Sequence, residues 1–251
     1  MRITSSDRFI SIAFPIFLLV CWELIVRFGW ADARFFPAPT SIAVSFWELC
    51  VSGVLIHHIG ISLFRLIVGF LLGAVPALII GIIMGLSSYV RAALYPIVAA
   101  TYPIPKSAIL PLIVLVFGLG EMSKIVAVAI GVFYLVLINT MAGVLNIDKV
   151  YIDVGKNFGA GRLNFFLTIA LPGALPLIFT GLKLGMGIGL IMIVMAEMIG
   201  AKTGVGYLIW DSWQVFAIEK MYVSLVIVSV MGYVSSILLD ETEKRIVPWK
   251  R

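Results

Sequence analysis

Three stretches of this sequence carry no charge: Leu66–Val90, Ile125–Ile147 and Met221–Leu239, of 25, 23 and 19 residues. A helix needs roughly 20 residues to cross a hydrocarbon layer of about 30 Å. Within lipid the backbone must satisfy its own hydrogen bonds, which leaves helices or closed barrels. The runs are continuously apolar rather than alternating, and that excludes a β-barrel. The whole chain is 62% apolar and 12% charged, against about 25% charged in an average soluble domain. The sequence therefore specifies an all-α integral membrane protein.

Six spans are expected, at about 9–28, 62–86, 92–117, 123–145, 174–199 and 221–240, in one transmembrane domain covering 1–251. With both termini inside, ten Lys and Arg fall in inner segments: Arg2, Arg8, Arg91, Lys149, Lys156, Arg162, Lys244, Arg245, Lys250 and Arg251. Five fall outside: Arg27, Arg34, Lys124, Lys202 and Lys220. That bias places both termini, and the segment between spans four and five, in the cytoplasm. The net charge of +5 is explained by the same bias and calls for no nucleic acid.

Ile10–Trp22 followed by Ala31-Asp32-Ala33 mimics a cleaved leader, but Glu23 and Arg27 intervene, so the first helix is expected to be retained. Cys21 and Cys50 lack metal-ligand spacing and read as packing residues. Beyond span one, Pro37 and Pro39 precede Thr40 or Ser41 as the expected N-cap of a short interfacial helix carrying Phe46 and Trp47.

Span three holds Pro96, Pro103, Pro105, Pro111 and Lys106. Each interior proline removes a backbone donor and kinks the helix. A charge at membrane depth faces protein interior or water, so Lys106 is a candidate for a polar route. Gly69, Gly73, Ala77, Gly81 and Gly85 step by four along span two, and Gly181, Gly185 and Gly189 along span five. Such rows let helix backbones approach closely.

The segment 147–162 is different in kind. Ile147, Val150, Tyr151, Val154 and Phe158 mark one apolar face of a short helix, with Asp148, Lys149, Asp153, Lys156 and Asn157 around the rest. Gly159-Ala160-Gly161 closes it. The helix is too short to span, is tethered at both ends, and can lie on lipid or in a partner's groove.

This segment resembles the cytoplasmic loop of permease subunits of bacterial ATP-binding-cassette (ABC) importers, E-A-A, three residues, G, then about nine residues and I-x-L-P. Here Asp153-Val154-Gly155, Gly159 and Ile169-Ala170-Leu171-Pro172 stand at those spacings. Asp replaces Glu, and Val-Gly replaces Ala-Ala. The stretches FFPAPT, HHIGISLFRLIVGFLLG, PIPKSAILPLIVLVFGLGEMSKI, NTMAGV and AEMIGAKTGVGYLI are similar to the nitrate/sulfonate/taurine branch. The resemblance implies a type I importer fold with 147–162 as the coupling helix, in the bacterial inner membrane. It implies two permease copies, two ATPase subunits that bind ATP and Mg, and an extracytoplasmic substrate-binding protein. Asp153, Val154, Gly155, Asn157, Phe158, Gly159, Ala160 and Pro172 would then form the ATPase-coupling set.

The chain has no phosphate-cradling loop of its own: Lys156 follows Gly155, but position 150 is Val and Asn157 follows the lysine. An intramembrane enzyme finds no H-E-x-x-H or G-x-S-x-G; His57 and His58, adjacent on a helix before span two, point apart. An ion-coupled transporter or channel would also use broken helices and midplane charge, but has no need of the tethered segment. The expected cargo is a small anion or zwitterion: an aliphatic sulfonate, taurine, nitrate or bicarbonate. Arg65, Lys106, Lys183 and Glu197 are the translocation-path candidates, although each cation can instead snorkel or pair with a carboxylate such as Glu197.

Overall fold

The computed structural model describes residues 5–250, so Arg2 and Arg251 of the inner cation set lie outside it. In chain order the helices are α1 (Ser5–Arg27), α2 (Pro39–Val51), α3 (Val54–Leu86), α4 (Ser88–Thr101), α5 (Leu110–Phe117) and α6 (Glu121–Leu145). They continue with α7 (Lys149–Asn157), α8 (Arg162–Phe165), α9 (Leu171–Gly200), α10 (Val205–Gln214) and α11 (Ile218–Ile246). A 3₁₀ turn (Lys106–Ile109) precedes α5, a π-helical segment (Phe166–Ala170) precedes α9, and a 3₁₀ turn (Pro248–Lys250) follows α11. No strand occurs among the described residues.

The glycine rows explain the core. A methyl placed on Gly69 would stand 2.6 Å from Val128 Cβ, and one on Gly81 2.8 Å from Leu137 O. From the other side, a methyl on Gly181 would stand 2.7 Å from Asn139 Cβ, and one on Gly185 3.1 Å from Val136 Cγ2. α6 is thus pressed between α3 and α9, with Val128, Val132, Val136 and Leu137 buried at the seam.

The same contacts give direction. α3 and α6 run parallel, because Gly69 meets Val128 and Gly85 meets Val144. α9 runs antiparallel to α6, because Gly143 meets Ala174 and Gly131 meets Met192. Leu86 and Glu121 therefore lie at opposite ends of the bundle, and α4 with α5 must carry the chain between them. That pair is bent by 86° at its break. With it, the five helices long and apolar enough to cross a membrane become six crossings.

Several boundaries differ from expectation. The second crossing begins at Val54, so His57 and His58 lie inside α3. The third is two helices: Pro96 is accommodated inside α4, Pro111 sits in the first turn of α5, and the break falls at residues 102–105. The sixth runs on to Ile246. Helix α10, in the connection after α9, was not anticipated. Pro39, not Thr40 or Ser41, opens α2 after Ala38; the Thr40 hydroxyl instead donates to Glu23 at 2.8 Å, and its amide to the same carboxylate at 3.1 Å. This clasp ties α1 to α2. Near the C-terminal end of α1, Trp22 packs against Tyr222, at 5.8 Å between ring centres, and Val26 is buried; the rest of α1, from Phe9 to Val20, is largely exposed.

Candidate functional site

α7 is built to be short. Its first turn is capped by Asp148, whose carboxylate accepts the Val150 N–H at 2.9 Å. Its last turn closes on Gly159, at φ +66°, with the Ala160 N–H reaching back to Gly155 O at 2.9 Å. That is the left-handed glycine stop, and a side chain at Gly159 would strain it.

One side of α7 is seated on the chain. Gly155 is buried, and a methyl there would lie 2.5 Å from Ile169 Cδ1 and 3.1 Å from Phe165 Cδ2. The other side is bare: Val150, Tyr151, Asp153, Val154 and Asn157 are exposed, and Phe158 is 87% exposed. Ala160 is half-buried. Pro172, in the first turn of α9, lines a cleft of about 500 Å³ with Asn146, Tyr151 and Trp249. The C-terminal turn therefore sits beside α7. The apolar face read from the sequence is exposed from Val150 to Phe158, while Ile147 packs near Gly173.

The four path candidates do not converge. Arg65 and Glu197 are together at the bundle end away from α7, both almost without exposed surface. Arg65 Nη1 donates to Glu197 Oε1 at 2.8 Å and Thr203 O at 2.7 Å. Its Nε and Nη2 donate to the two oxygens of Glu121 at 2.5 and 2.6 Å, and Nη2 to Thr203 Oγ1 at 3.2 Å. A guanidinium has five N–H donors, and all five are engaged, so Arg65 offers none to a passing anion in this conformation. Close by, Lys124 Nζ donates to Leu119 O and Gly120 O at 2.7 and 2.9 Å.

Lys183 lies elsewhere, between α9 and α11, paired with Asp240 and, at 2.5 Å, with Glu243. Lys106 sits at the α4–α5 break. Its Nζ donates to Thr101 O and Tyr102 O at 3.0 Å and lies 4.1 Å from the Tyr134 ring centre. Two of its three donors are thus used on the open carbonyls of α4, and among the described residues no carboxylate pairs with it.

Sequence reasoning missed Glu121, Ser62, Thr203, Asp240 and Glu243 as partners of these charges. It also missed a cleft of about 680 Å³ at the end opposite α7, lined by His57, His58, Lys202, Tyr207 and Asp211. There burial and the neighbouring Asp211 carboxylate push the Tyr207 phenol up. Among the described residues no group of three or more His, Cys, Asp or Glu could hold a metal ion.

Comparison with known proteins gives this arrangement a context. Residues 77–248 match the family described as binding-protein-dependent transport system inner membrane component. SsuC of Bacillus subtilis (strain 168), by name an aliphatic sulfonates transport permease, is 34% identical over 94% of this chain and 86% of its own length. The nitrate import permease NrtB of Leptolyngbya laminosa is 31% identical, over 95% of this chain and 87% of its own. The taurine transport system permease TauC of Escherichia coli (strain K12) is 30% identical, over 92% and 86%. Those relatives are transport components rather than enzymes, and the matches span nearly every crossing described above. A six-crossing bundle that offers a capped helical stub at one end thus belongs to the inner membrane component family of binding-protein-dependent transport systems, on the branch of ABC transporter permeases similar to those named for sulfonates, taurine and nitrate.

Proposed function

We propose that this chain is the pore-forming permease subunit of an ATP-driven importer for a small oxyanion or zwitterion of the sulfonate, taurine, nitrate or bicarbonate kind. The observation that carries the reading is α7 itself. Its Gly155 side is fixed to the α9 entry, while Val150, Tyr151, Val154 and Phe158 present an apolar surface that nothing in this chain covers. An apolar helix face of this sort fits a groove on a partner, here a separate ATPase subunit that holds ATP and Mg. The family membership and the excess of Lys and Arg on the α7 side support placing α7 and both termini in the cytoplasm.

In this mechanism two copies of the chain frame the pore, and a binding protein delivers cargo at the opposite face. ATP binding draws the ATPase subunits together and carries the α7 helices with them; hydrolysis resets the pore. Lys106 is the path residue the geometry favours. It lies at membrane depth, in a broken span, with its ammonium against the Tyr134 ring and, among the described residues, no paired carboxylate. Arg65, Glu197 and Lys183 are already paired and contribute by holding helices together.

The test is co-purification in detergent with its ATPase subunit, followed by uptake in liposomes. The wild-type chain retains the ATPase, and Gly159→Asp loses it. Flux through the chain alone, without ATP, would overturn the reading.

A further inference from the structure

The two ends of α9 are joined to their neighbours in opposite ways. At the α7 end the junction is the π-helical segment Phe166–Ala170. Such segments are rare and recur at functional sites. At the far end, residues 203–206 are gripped by side chains of α3 and α9. The Gly204 N–H donates to His58 Nδ1 at 2.9 Å, the Val205 N–H to Ser62 Oγ at 2.8 Å, and the Gly206 N–H to Glu197 Oε2 at 2.9 Å. Ser62 Oγ in turn donates to Glu197 at 2.8 Å, and Arg65 holds both oxygens of Thr203.

Glycines permit this grip. Gly204 sits at φ +117° with its Cα against the Glu197 carboxylate, and no side chain fits there. Gly206 packs on Val194 O and Glu197 Cβ. Three successive backbone amides and the Thr203 oxygens are thus satisfied by one buried cluster. Low local dielectric makes such a fully satisfied network stiff, and opening it leaves buried polar groups unpaired.

We propose that Glu197, with Ser62 and Arg65, is a positioning device that fixes the 203–206 turn, and α10 behind it, to α9 and α3. A displacement entering α9 through α7 then arrives at α10 undiminished, because the far joint cannot yield. α10 moves with α9 as one body and opens or closes that mouth of the pore. This rests on the reading of α7 as the coupling helix. It adds that coupling depends on a cluster at the opposite end of the bundle, remote from the ATPase contact and from Lys106.

The test uses the whole transporter in liposomes, comparing wild type with Glu197→Gln, Ser62→Ala and, as a control in open space, Gly187→Ala. Three quantities are read: ATP hydrolysis, cargo taken up per ATP, and hydrogen exchange at the amides of residues 204–206. Both cluster variants should keep the ATPase bound and hydrolysis within about twofold, while those amides exchange about tenfold faster, as for loss of a charge-assisted hydrogen bond. Cargo per ATP should fall by about tenfold in Glu197→Gln and less in Ser62→Ala, while Gly187→Ala matches wild type. A variant that only misfolds lowers hydrolysis and uptake together and leaves their ratio unchanged. Unchanged cargo per ATP in Ser62→Ala, with its amides loosened, overturns the proposal, as do amides that stay protected in both variants. Failure of the wild-type chain to retain an ATPase would instead sink the importer reading itself.

Discussion

Arg65 and Glu197, 132 residues apart in sequence, meet at 2.8 Å, and each is held further by groups that belong to neither helix. Removing one partner of a buried pair strands the other and costs about 3–5 kcal/mol, whereas apolar replacement of both is often close to neutral. Arg65→Met and Glu197→Leu should each lower the thermal midpoint in detergent markedly. The double variant should be more stable than the sum of the two losses implies, a coupling that a double-mutant cycle reads directly.

The glycine rows predict opposite outcomes on one helix type. Gly81→Val drives a side chain into Leu137 O and Thr140 and should cost about 1–3 kcal/mol or block folding, by overpacking the α3–α6 seam. Gly187→Ala meets nothing within 4 Å and should stabilise α9 by about 0.5–1 kcal/mol. Thermal unfolding of the purified chain separates the two; equal effects would mean that the seam is not where the glycines place it.

Thr140 is fully buried, yet its hydroxyl is without a hydrogen-bond partner. An orphan of this kind costs about 1–3 kcal/mol. Thr140→Val keeps the shape and removes the hydroxyl, so the thermal midpoint should rise by a few degrees, at about 2–4 °C per kcal/mol in a chain of this size. A lower midpoint would show that the hydroxyl has a partner after all.

Phe158 is almost wholly exposed, so Phe158→Ser should leave the stability of the isolated chain within about 0.5 kcal/mol. Retention of the ATPase should nevertheless fall by tenfold or more, as expected when an anchor in an apolar groove is lost, at about 2 kcal/mol or more. Pull-down and thermal unfolding on the same preparation distinguish a contact residue from a folding residue.

Lys106→Met keeps the length of the side chain and deletes its charge. Uptake of a sulfonate or nitrate should drop while ATPase retention stays at the wild-type level, because the residue is at the α4–α5 break and not at α7. Unchanged uptake removes Lys106 from the path.

What the sequence conveyed was depth; what it withheld was azimuth. Arg65 lies near the start of the second crossing and Glu197 near the end of the fifth, so both fall at the same end of the bundle, and depth alone could have paired them. Neither Glu121 nor Thr203 could be assigned that way: Glu121, expected in the connection before the fourth crossing, opens α6, and Thr203 sits in the turn between α9 and α10. The four prolines announced a broken third crossing but not its angle: the 86° bend falls at residues 102–105, which hold Pro103 and Pro105. His57 and His58 looked like a polar boundary; in the fold α3 begins at Val54 after Gly53, and the His58 ring inside it accepts the Gly204 amide. α7 was readable because its caps and its exposed face are local features. α10 was hidden because, at ten residues between Lys202 and Lys220, it is too short for a crossing and reads as part of the connection.

The exposure of α1 from Phe9 to Val20 has a consequence for how this chain varies among relatives. A helix stretch that packs little against the rest of its own chain answers to bilayer thickness more than to the shapes of neighbours within it. Its residues up to Val20 are therefore free to drift among greasy alternatives, so long as Glu23 keeps its hold on Thr40 and Trp22 and Val26 keep their packing. The stretch from Phe9 to Val20 should accept transplantation from an unrelated membrane protein.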